Sequence, residues 1–319
     1  MTAGTEPPRR DEAALQALTD RVRALLAEAC PGWDGSLVAV GQGFEAAVFR
    51  TDLPPFGTVA VKAPWRRFPG GSYGAGVDCR ALLRQERALA AWAADNDLPV
   101  AAPLALHETD AQDLLVSAYV EGDDLPPDPA GLGALLRRLH DAPPPDLVPV
   151  VHGASGDFRT AIAARIMERL DRVEALIGKP LAGDRSWLDT DVLRAALPDG
   201  RCALLHLDFR PANLRCRDGR ILAVLDWSNA AIADPAFELA RMHEAGTLTD
   251  AVLAGYGDCD WSSRVPPAAR AACHLDAALM FAIVFRIGEP DPARAAAATA
   301  RAGVLLDELR QALGAQGSP

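Results

Sequence analysis

His206-Leu207-Asp208-Phe209-Arg210-Pro211-Ala212-Asn213 is the stretch on which the reading of this chain turns. It follows the apolar run Ala203-Leu204-Leu205, and a second apolar run, Ile221-Leu222-Ala223-Val224-Leu225, ends in Asp226. Between them lies Asp218-Gly219, a strong two-residue hairpin signal. With those two residues as the turn, Asn213 pairs with Val224 and Asp226 becomes its diagonal neighbour on the same face, roughly 7–8 Å away at the backbone. An amide and a carboxylate at that distance can hold one cation between them. A site with one neutral and one anionic oxygen donor, leaving other positions to water and phosphate, suits Mg²⁺. Asp208 lies five residues before Asn213, in an irregular loop held by Pro211, and can reach the same space. Strands ending in aspartate are common at turns, so either aspartate alone reads equally well as a turn residue. The set His206, Asp208, Asn213 and Asp226 at these spacings does not reduce to that.

The rest of the chain sets bounds. Its 319 residues suffice for one large or two modest domains. Half are hydrophobic and 24% are charged, ordinary for a globular protein. The net charge of -11 argues against a nucleic-acid partner, because phosphate backbones want clustered Lys and Arg. Residues 1–10 carry no apolar core, so they read as disordered and not as a secretory signal. Apolar runs such as Ala277 to Phe285 fall short of the ~20 residues of a membrane helix, so no membrane partner is expected. Six cysteines without any CxxC pair read as reduced thiols and a cytoplasmic protein. None of this fixes an oligomeric state.

Periodicity organises the chain. An amphipathic helix over 11–30 precedes strands at 36–40, 46–50 and 58–62. A Gly- and Pro-rich mobile loop over 64–78 leads to a helix at 79–95 and strands at 103–107 and 113–120. Residues 121–130, acidic and proline-rich, read as a linker. Helices follow at 131–142, 157–178, 187–197, 235–245, 249–256, 266–287 and 291–313, with a β insertion at 201–227. The fold class is α+β: a small β-rich lobe over 1–120, the linker over 121–130, and a mostly helical lobe over 131–319. Clefts between domains are common places for ligands.

The residues now carry a resemblance. The pattern H-x-D-x-x-x-x-N over 206–213 resembles the catalytic loop of protein-kinase-like enzymes. Leu225-Asp226-Trp227, in place of D-F-G, and Ala233-Asp234-Pro235-Ala236-Phe237-Glu238-Leu239-Ala240 are similar to the aminoglycoside/macrolide phosphotransferase branch, which phosphorylates small molecules. The similarity is specific between 203 and 241 and consistent in order from 36 to about 245. It implies a two-lobed protein-kinase-like fold with ATP and Mg²⁺ as cofactors. Carried over residue by residue, Asp208 orients the acceptor hydroxyl and takes its proton, while Asn213 and Asp226 hold Mg²⁺ against the ATP phosphates. His206 braces the loop. Asp234-Pro235 reads as a helix start, with Asp at the cap and Pro in the first turn. The family usually has Gly at Leu207 and Asp at Glu238. The Leu207 side chain is expected to face the core, and Glu238 to alter a hydrogen bond at the helix start.

The first lobe should supply the nucleotide-binding set. Val59-Ala60-Val61-Lys62 is similar to the kinase strand that ends in lysine. Glu86 falls on the apolar stripe Leu82, Leu83, Leu89 and Ala93, and an inward carboxylate is costly unless paired. Lys62 is the expected partner; Arg84 and Arg87 are the rivals. Gly41 and Gly43 sit where the resemblance puts the phosphate-covering loop, a weak motif that also reads as a hairpin turn. The glycine-rich run Gly70 to Gly76 comes after Lys62 and is read as flexible. The hinge Ser117-Ala118-Tyr119-Val120 is expected to offer adenine the main chain of Ala118 and Val120.

The expectation is an ATP- and Mg-dependent phosphotransferase moving the γ-phosphate to a hydroxyl of a small molecule, with an antibiotic such as an aminoglycoside or macrolide as the acceptor class the resemblance suggests. A kinase acting on a biosynthetic intermediate or on peptide Ser/Thr is the alternative. A non-catalytic nucleotide-binding protein and a metal-dependent hydrolase are the rivals from other classes. Glu238, Glu244, Asp258, Asp260 and Asp276 are candidate acids for gripping an amine, and Leu279-Met280-Phe281 lines a macrolide pocket or belongs to the core.

Overall fold

The computed structural model describes residues 11–68, 77–123, 125–181 and 183–316. The expected disorder of 1–10 and the glycine-rich run at 70–76 lie outside them. The chain divides into two compact units, one of residues 1–125 with 213–228, the other of 126–212 with 229–319.

In the first unit, helix α1 (Glu12–Ala29) starts where the Asp11 carboxylate accepts the Ala14 N–H, a side-chain N-cap. Strands β1 (Val38–Gln42), β2 (Ala46–Leu53) and β3 (Gly57–Pro64) follow, then α2 (Cys79–Asp95), β4 (Pro103–His107) and β5 (Leu114–Ala118). The five strands form one sheet in the order β1-β2-β3-β5-β4, every pair antiparallel. Side chains alternate across a strand. In β3, Val59, Val61 and Ala63 are therefore buried in one core with Leu18, Val22 and Leu26 of α1. Lys62 points to the opposite face, and α2 packs against β4 and β5.

The hairpin β7 (Leu214–Arg217) and β8 (Arg220–Val224) belongs to this unit. The expected division placed it with the helical lobe. Main-chain bonds explain the difference: Val224 N–H donates to Pro99 O at 2.9 Å, and Asp123 N–H to Cys216 O at 2.7 Å. Gly122 is required there, since a Cβ would lie 2.6 Å from Cys216 O.

The second unit is mostly helical. Helix α3 (Pro129–Asp141) begins inside the expected linker, capped by Asp128 with Pro129 in the first turn. Helices α4 (Phe158–Ile177) and α5 (Thr190–Ala196) lead to β6 (Ala203–Leu205), which pairs antiparallel with β9 (Ala231–Ala233). Then come α6 (Ala236–Glu244), α7 (Asp250–Tyr256), α8 (Trp261–Arg264), α9 (Pro267–Ile283) and α10 (Pro292–Gln316). Helices α3 and α7 approach backbone to backbone. A Cβ on Gly133 would lie 1.9 Å from Val252 O, and one on Gly255 would lie 2.0 Å from Ala130 O. Helix α9 with the π turn after it, Pro267–Gly288, is long and apolar enough by composition to cross a membrane, contrary to the expectation from its interrupted runs. It is a packed helix: 67% of its apolar window is buried, and α4, α6 and α10 lie against it.

Candidate active site

Alternation in β3 and the stripe on α2 bring two charges together inside the first unit. Lys62 Nζ donates to Glu86 Oε2 at 2.6 Å and to Asp226 Oδ1 at 2.9 Å. The Lys62 and Glu86 side chains are 15% and 12% exposed. The partner expected for Glu86 is present; the rival Arg84 pairs with Glu108 instead. Burial opposes the Lys62 charge, yet the Asp226 and Glu86 carboxylates outweigh it and hold the ammonium above its ordinary range. Burial pushes the Glu86 carboxyl above its ordinary value, against the pull of Lys62.

Asp226 is set by main-chain geometry. Its φ of 63° lies in the left-handed region. Ser228 Oγ donates to Asp226 Oδ1 at 2.8 Å. Gln85, the neighbour of Glu86 on α2, donates through Nε2 to Trp227 O at 2.8 Å and Ser228 O at 3.2 Å. Sequence reasoning passed over Gln85, whose signal was a buried position beside the apolar stripe.

The hairpin turns where expected, with φ 52° at Asp218 and φ 75° at Gly219. Its far end does not keep the expected register. A bulge shifts the pairing between Arg215 and Cys216, so Val224 pairs with Leu214 and not with Asn213. One residue of slip exchanges the two faces, and the same-face argument for Asn213 fails. Asn213 instead ends the short 3-10 turn Pro211–Asn213, is buried, and accepts the Leu225 N–H on its carbonyl at 2.8 Å.

Gly41 faces Val48 across β1–β2, and Gly43 N–H donates to Ala46 O at 2.8 Å. Trp65 closes this turn, donating through Nε1 to Gly43 O at 3.0 Å. Neither glycine is demanded by the fold. A Cβ would meet Val48 Cβ at 3.8 Å from Gly41 and Ala46 O at 3.5 Å from Gly43, ordinary contacts. At the expected hinge, Ala118 N–H donates to Ala102 O at 2.8 Å, so that group is already taken and Ala118 would offer a base its carbonyl. Val120 lies two residues beyond β5, half-buried.

In the second unit the loop at 206–208 is fixed from behind. Glu238, 1% exposed, accepts the His206 N–H on Oε2 at 2.9 Å and the Leu207 N–H on Oε1 at 2.6 Å. His140 Nε2 donates to the same carboxylate at 3.2 Å, and its Nδ1 accepts from Tyr256 Oη at 2.9 Å. Burial raises the Glu238 carboxyl, but His140 and the loop donors hold it below its ordinary value. Glu238 therefore braces this loop and does not cap its own helix; Asp234 does, accepting the Ala236 N–H at 2.8 Å. His206 is fully buried, as a loop brace should be, and its Nδ1 accepts the Asp208 N–H at 3.2 Å. Leu207 faces the core as expected, but with φ 56°. The Asp208 carboxylate pairs with Arg210 Nε at 3.2 Å.

Most acids expected to grip an amine are already engaged. Glu244 accepts from His274 Nδ1 at 2.7 Å and Arg301 Nε at 3.1 Å, Asp258 pairs with Arg264, and Asp276 pairs with Arg169 at 2.5 Å. Asp260 is exposed. Leu279 belongs to the core, and Phe281 stacks on Phe285.

A sheet of five antiparallel strands carrying a lysine–glutamate pair, followed by a larger helical part, is the protein-kinase-like fold. The phosphotransferase enzyme family matches residues 37–272, and the chain belongs to that family; it is an enzyme of the phosphotransferase class. Solved structures share the fold at low identity. A choline/ethanolamine kinase family protein from Mesorhizobium loti matches with TM-score 0.58 and 22% identity, over 93% of this chain and 98% of that one. A thermostable mutant of aminoglycoside phosphotransferase APH(4)-Ia, in ternary complex with AMP-PNP and hygromycin B, matches with TM-score 0.54 and 18% identity, over 90% and 98%. Macrolide 2'-phosphotransferase MphH from Brachybacterium faecium matches with TM-score 0.53 and 21% identity, over 90% and 97%. No curated protein sequence matches the chain.

Proposed function

We propose that the chain transfers the γ-phosphate of ATP to a hydroxyl of a small molecule. The observation that carries this reading is the Lys62–Glu86–Asp226 cluster. A buried lysine between two carboxylates is a fixed positive point that can meet nucleotide phosphates, and Glu86 aims it. A Cβ at Gly41 or Gly43 would meet only ordinary contacts, so the fold itself does not demand glycine there, which supports a phosphate-covering role. The hinge carbonyl of Ala118 and the main chain of Val120 are the groups proposed for the base.

Asn213 and Asp226 are the proposed Mg²⁺ ligands. One amide and one partly exposed carboxylate form a hard-oxygen donor set that fits this ion, and the bound ion would neutralise phosphate charge. Asp208 is the proposed base. The acceptor oxygen bonds to the γ-phosphorus as the bond to the bridging oxygen breaks. ADP leaves with that electron pair, and the hydroxyl proton passes to the Asp208 carboxylate. Glu238 and His206 hold this loop through main-chain N–H groups, so Asp208 needs little rearrangement. The solved relative holding AMP-PNP and hygromycin B supports a nucleotide donor and a small-molecule acceptor. An antibiotic acceptor, and with it a role in resistance, is one member of that class.

The test is ADP formation from ATP across sugars, amino alcohols, aminoglycosides, macrolides and hydroxy acids. Asp208→Asn should lose acceptor-dependent turnover while still binding nucleotide, and Asp226→Asn should lose the Mg²⁺ dependence of nucleotide binding. Wild-type turnover in Asp208→Asn would overturn the assignment of the base.

A further inference from the structure

The second unit holds a cluster of arginines that the proposed chemistry does not use. Arg165 and Arg169 stand one turn apart on α4, and Asp276 faces them from α9. Arg169 Nη1 donates to Asp276 Oδ1 at 2.5 Å and to its carbonyl at 3.3 Å. Arg165 Nε lies 3.7 Å from the same Oδ1, within ion-pair range but too far for a hydrogen bond. Arg165 Nε and Nη2 are both buried without a hydrogen-bond partner among the described residues. Arg241 of α6 adds a third guanidinium, acted on by the carboxylates of Asp208, Asp276 and Glu238 and by the charge of Arg169.

Asp276 is the carboxylate within ion-pair range of Arg165, and it is already bonded to Arg169. Buried N–H groups without acceptors are costly, on the order of 1–3 kcal/mol each, and native proteins rarely leave them so. A guanidinium presents its donors as a planar fork that matches a carboxylate or phosphate with two parallel hydrogen bonds. Burial pushes Arg165 below its ordinary range, with the guanidiniums of Arg169 and Arg241 adding to it against the pull of Asp276.

Most of the acids that would grip a polycationic acceptor in this unit are already engaged. Glu238, Glu244 and Asp276 are each occupied by an internal donor or cation. The cluster His243, Glu244 and His274, whose ligand atoms lie within 4.8 Å, has a metal-like composition. Arg301 already neutralises its carboxylate, so it makes a poorer site.

We propose that Arg165, with Arg169 and Arg241 beside it, binds an oxyanion of the acceptor, so that the hydroxyl compound phosphorylated here carries a carboxylate or a phosphate group. The inference rests on the phosphotransferase reading above and narrows its acceptor. Arg165 is the specificity residue, its fork completed by the substrate. Arg169 is held by Asp276 and positions the cluster.

The experiment measures ADP formation from ATP with two anionic arms, hydroxy acids (glycerate, malate) and phosphates (glycerol 3-phosphate, glucose 6-phosphate). Glucose, choline and hygromycin B are the neutral and cationic arms. Turnover should favour an anionic arm, and which arm wins distinguishes carboxylate from phosphate. Arg165→Gln should raise the KM of that acceptor by about ten-fold or more, the loss expected for a charge-assisted pair, with Arg165→Lys in between and the KM for ATP little moved. Turnover confined to neutral or cationic acceptors, or an unchanged acceptor KM in Arg165→Gln, overturns the inference and leaves the phosphotransferase reading standing. Where no acceptor in the panel turns over, inorganic phosphate is the probe. Calorimetric binding by wild type that Arg165→Gln abolishes and Arg165→Lys partly restores supports the site; binding equal in wild type and Arg165→Gln, or absent from both, overturns it. Failure of the phosphotransferase reading has a separate signature, the absence of any Mg²⁺-dependent ATP binding.

Discussion

Leu207 gives the sharpest test of how the loop before Asp208 is held. Its φ of 56° is a conformation that costs a non-glycine residue roughly 1–2 kcal/mol. Its side chain is only 4% exposed, and truncating a buried leucine to alanine costs about 2–5 kcal/mol. Burial outweighs strain, which explains how leucine is tolerated at this left-handed position. Leu207→Ala loses the burial and keeps the strain. Leu207→Gly loses the same burial and releases the strain. At an ordinary helix or strand position glycine is worse than alanine by about 0.5–1 kcal/mol. Here the order should invert, with Leu207→Gly the more stable of the two by about 1 kcal/mol and wild type above both. Urea unfolding followed by circular dichroism, with matched m-values, measures this difference directly. Leu207→Ala equal to or more stable than Leu207→Gly would refute the argument. Leu207→Gly more stable than wild type would show that the buried side chain contributes less than the strain it brings.

Three further outcomes are expected. Gly41→Ala and Gly43→Ala meet only ordinary contacts, so both should keep wild-type Tm while raising the KM for ATP several-fold; a fall in Tm without a change in KM would make these glycines structural. Glu238→Gln replaces a carboxylate that accepts from three donors and should destabilise by about 3–5 kcal/mol, read by urea unfolding, with a loss below 1 kcal/mol counting against the brace. His152 is buried between Gly156 O at 3.1 Å, which takes its Nδ1–H, and the Ile232 N–H at 3.2 Å, which needs a bare Nε2. Burial holds its pKa below the ordinary 6.5, so its contribution is present above pH 6.5 and is lost as pH falls through the lower folded value. Stability measured from pH 7 to pH 5 should therefore decline less in His152→Gln than in wild type, and parallel curves would remove His152 from the account.

Much of the first unit was legible because two periodicities meet there. Alternation in β3 separates Lys62 from the core face, and the 3.6-residue stripe on α2 turns Glu86 inward, so their ion pair was the expected one, with Arg84 and Arg87 as rivals. The turn at 218–219 was legible from its two residue types. The register beyond it was not, because a bulge depends on which neighbours the strands must reach. Here Val224 must meet Pro99 and Cys216 must meet Asp123. Those contacts also take the hairpin into the first unit, which no local pattern announces. Glu238 was visible only as a departure. Its function rests on contacts with residues 31, 32 and 98 positions away, beyond any local pattern. The same holds for Gly133 and Gly255, which read as weak spots in helices and are the points where α3 and α7 touch.

The two carboxylates on which the proposed chemistry depends are positioned by different means, each within its own unit. Asp226 is itself in the left-handed region, and side chains hold it: Lys62 and Ser228 on its oxygen, Gln85 on the carbonyls that follow. Asp208 is positioned through the backbone before it, where Leu207 carries the left-handed turn and Glu238 accepts two successive N–H groups. Behind Glu238 stands His140, and behind His140 stands Tyr256, which reaches it because two glycines let α3 and α7 close together. A strained backbone persists only where its surroundings over-determine it. Each carboxylate thus requires its own set of partners, one built on a sheet and one on a helix pair. A lesion in the first set should surface in nucleotide and metal affinity, and one in the second in turnover. Neither set substitutes for the other, since no residue belongs to both.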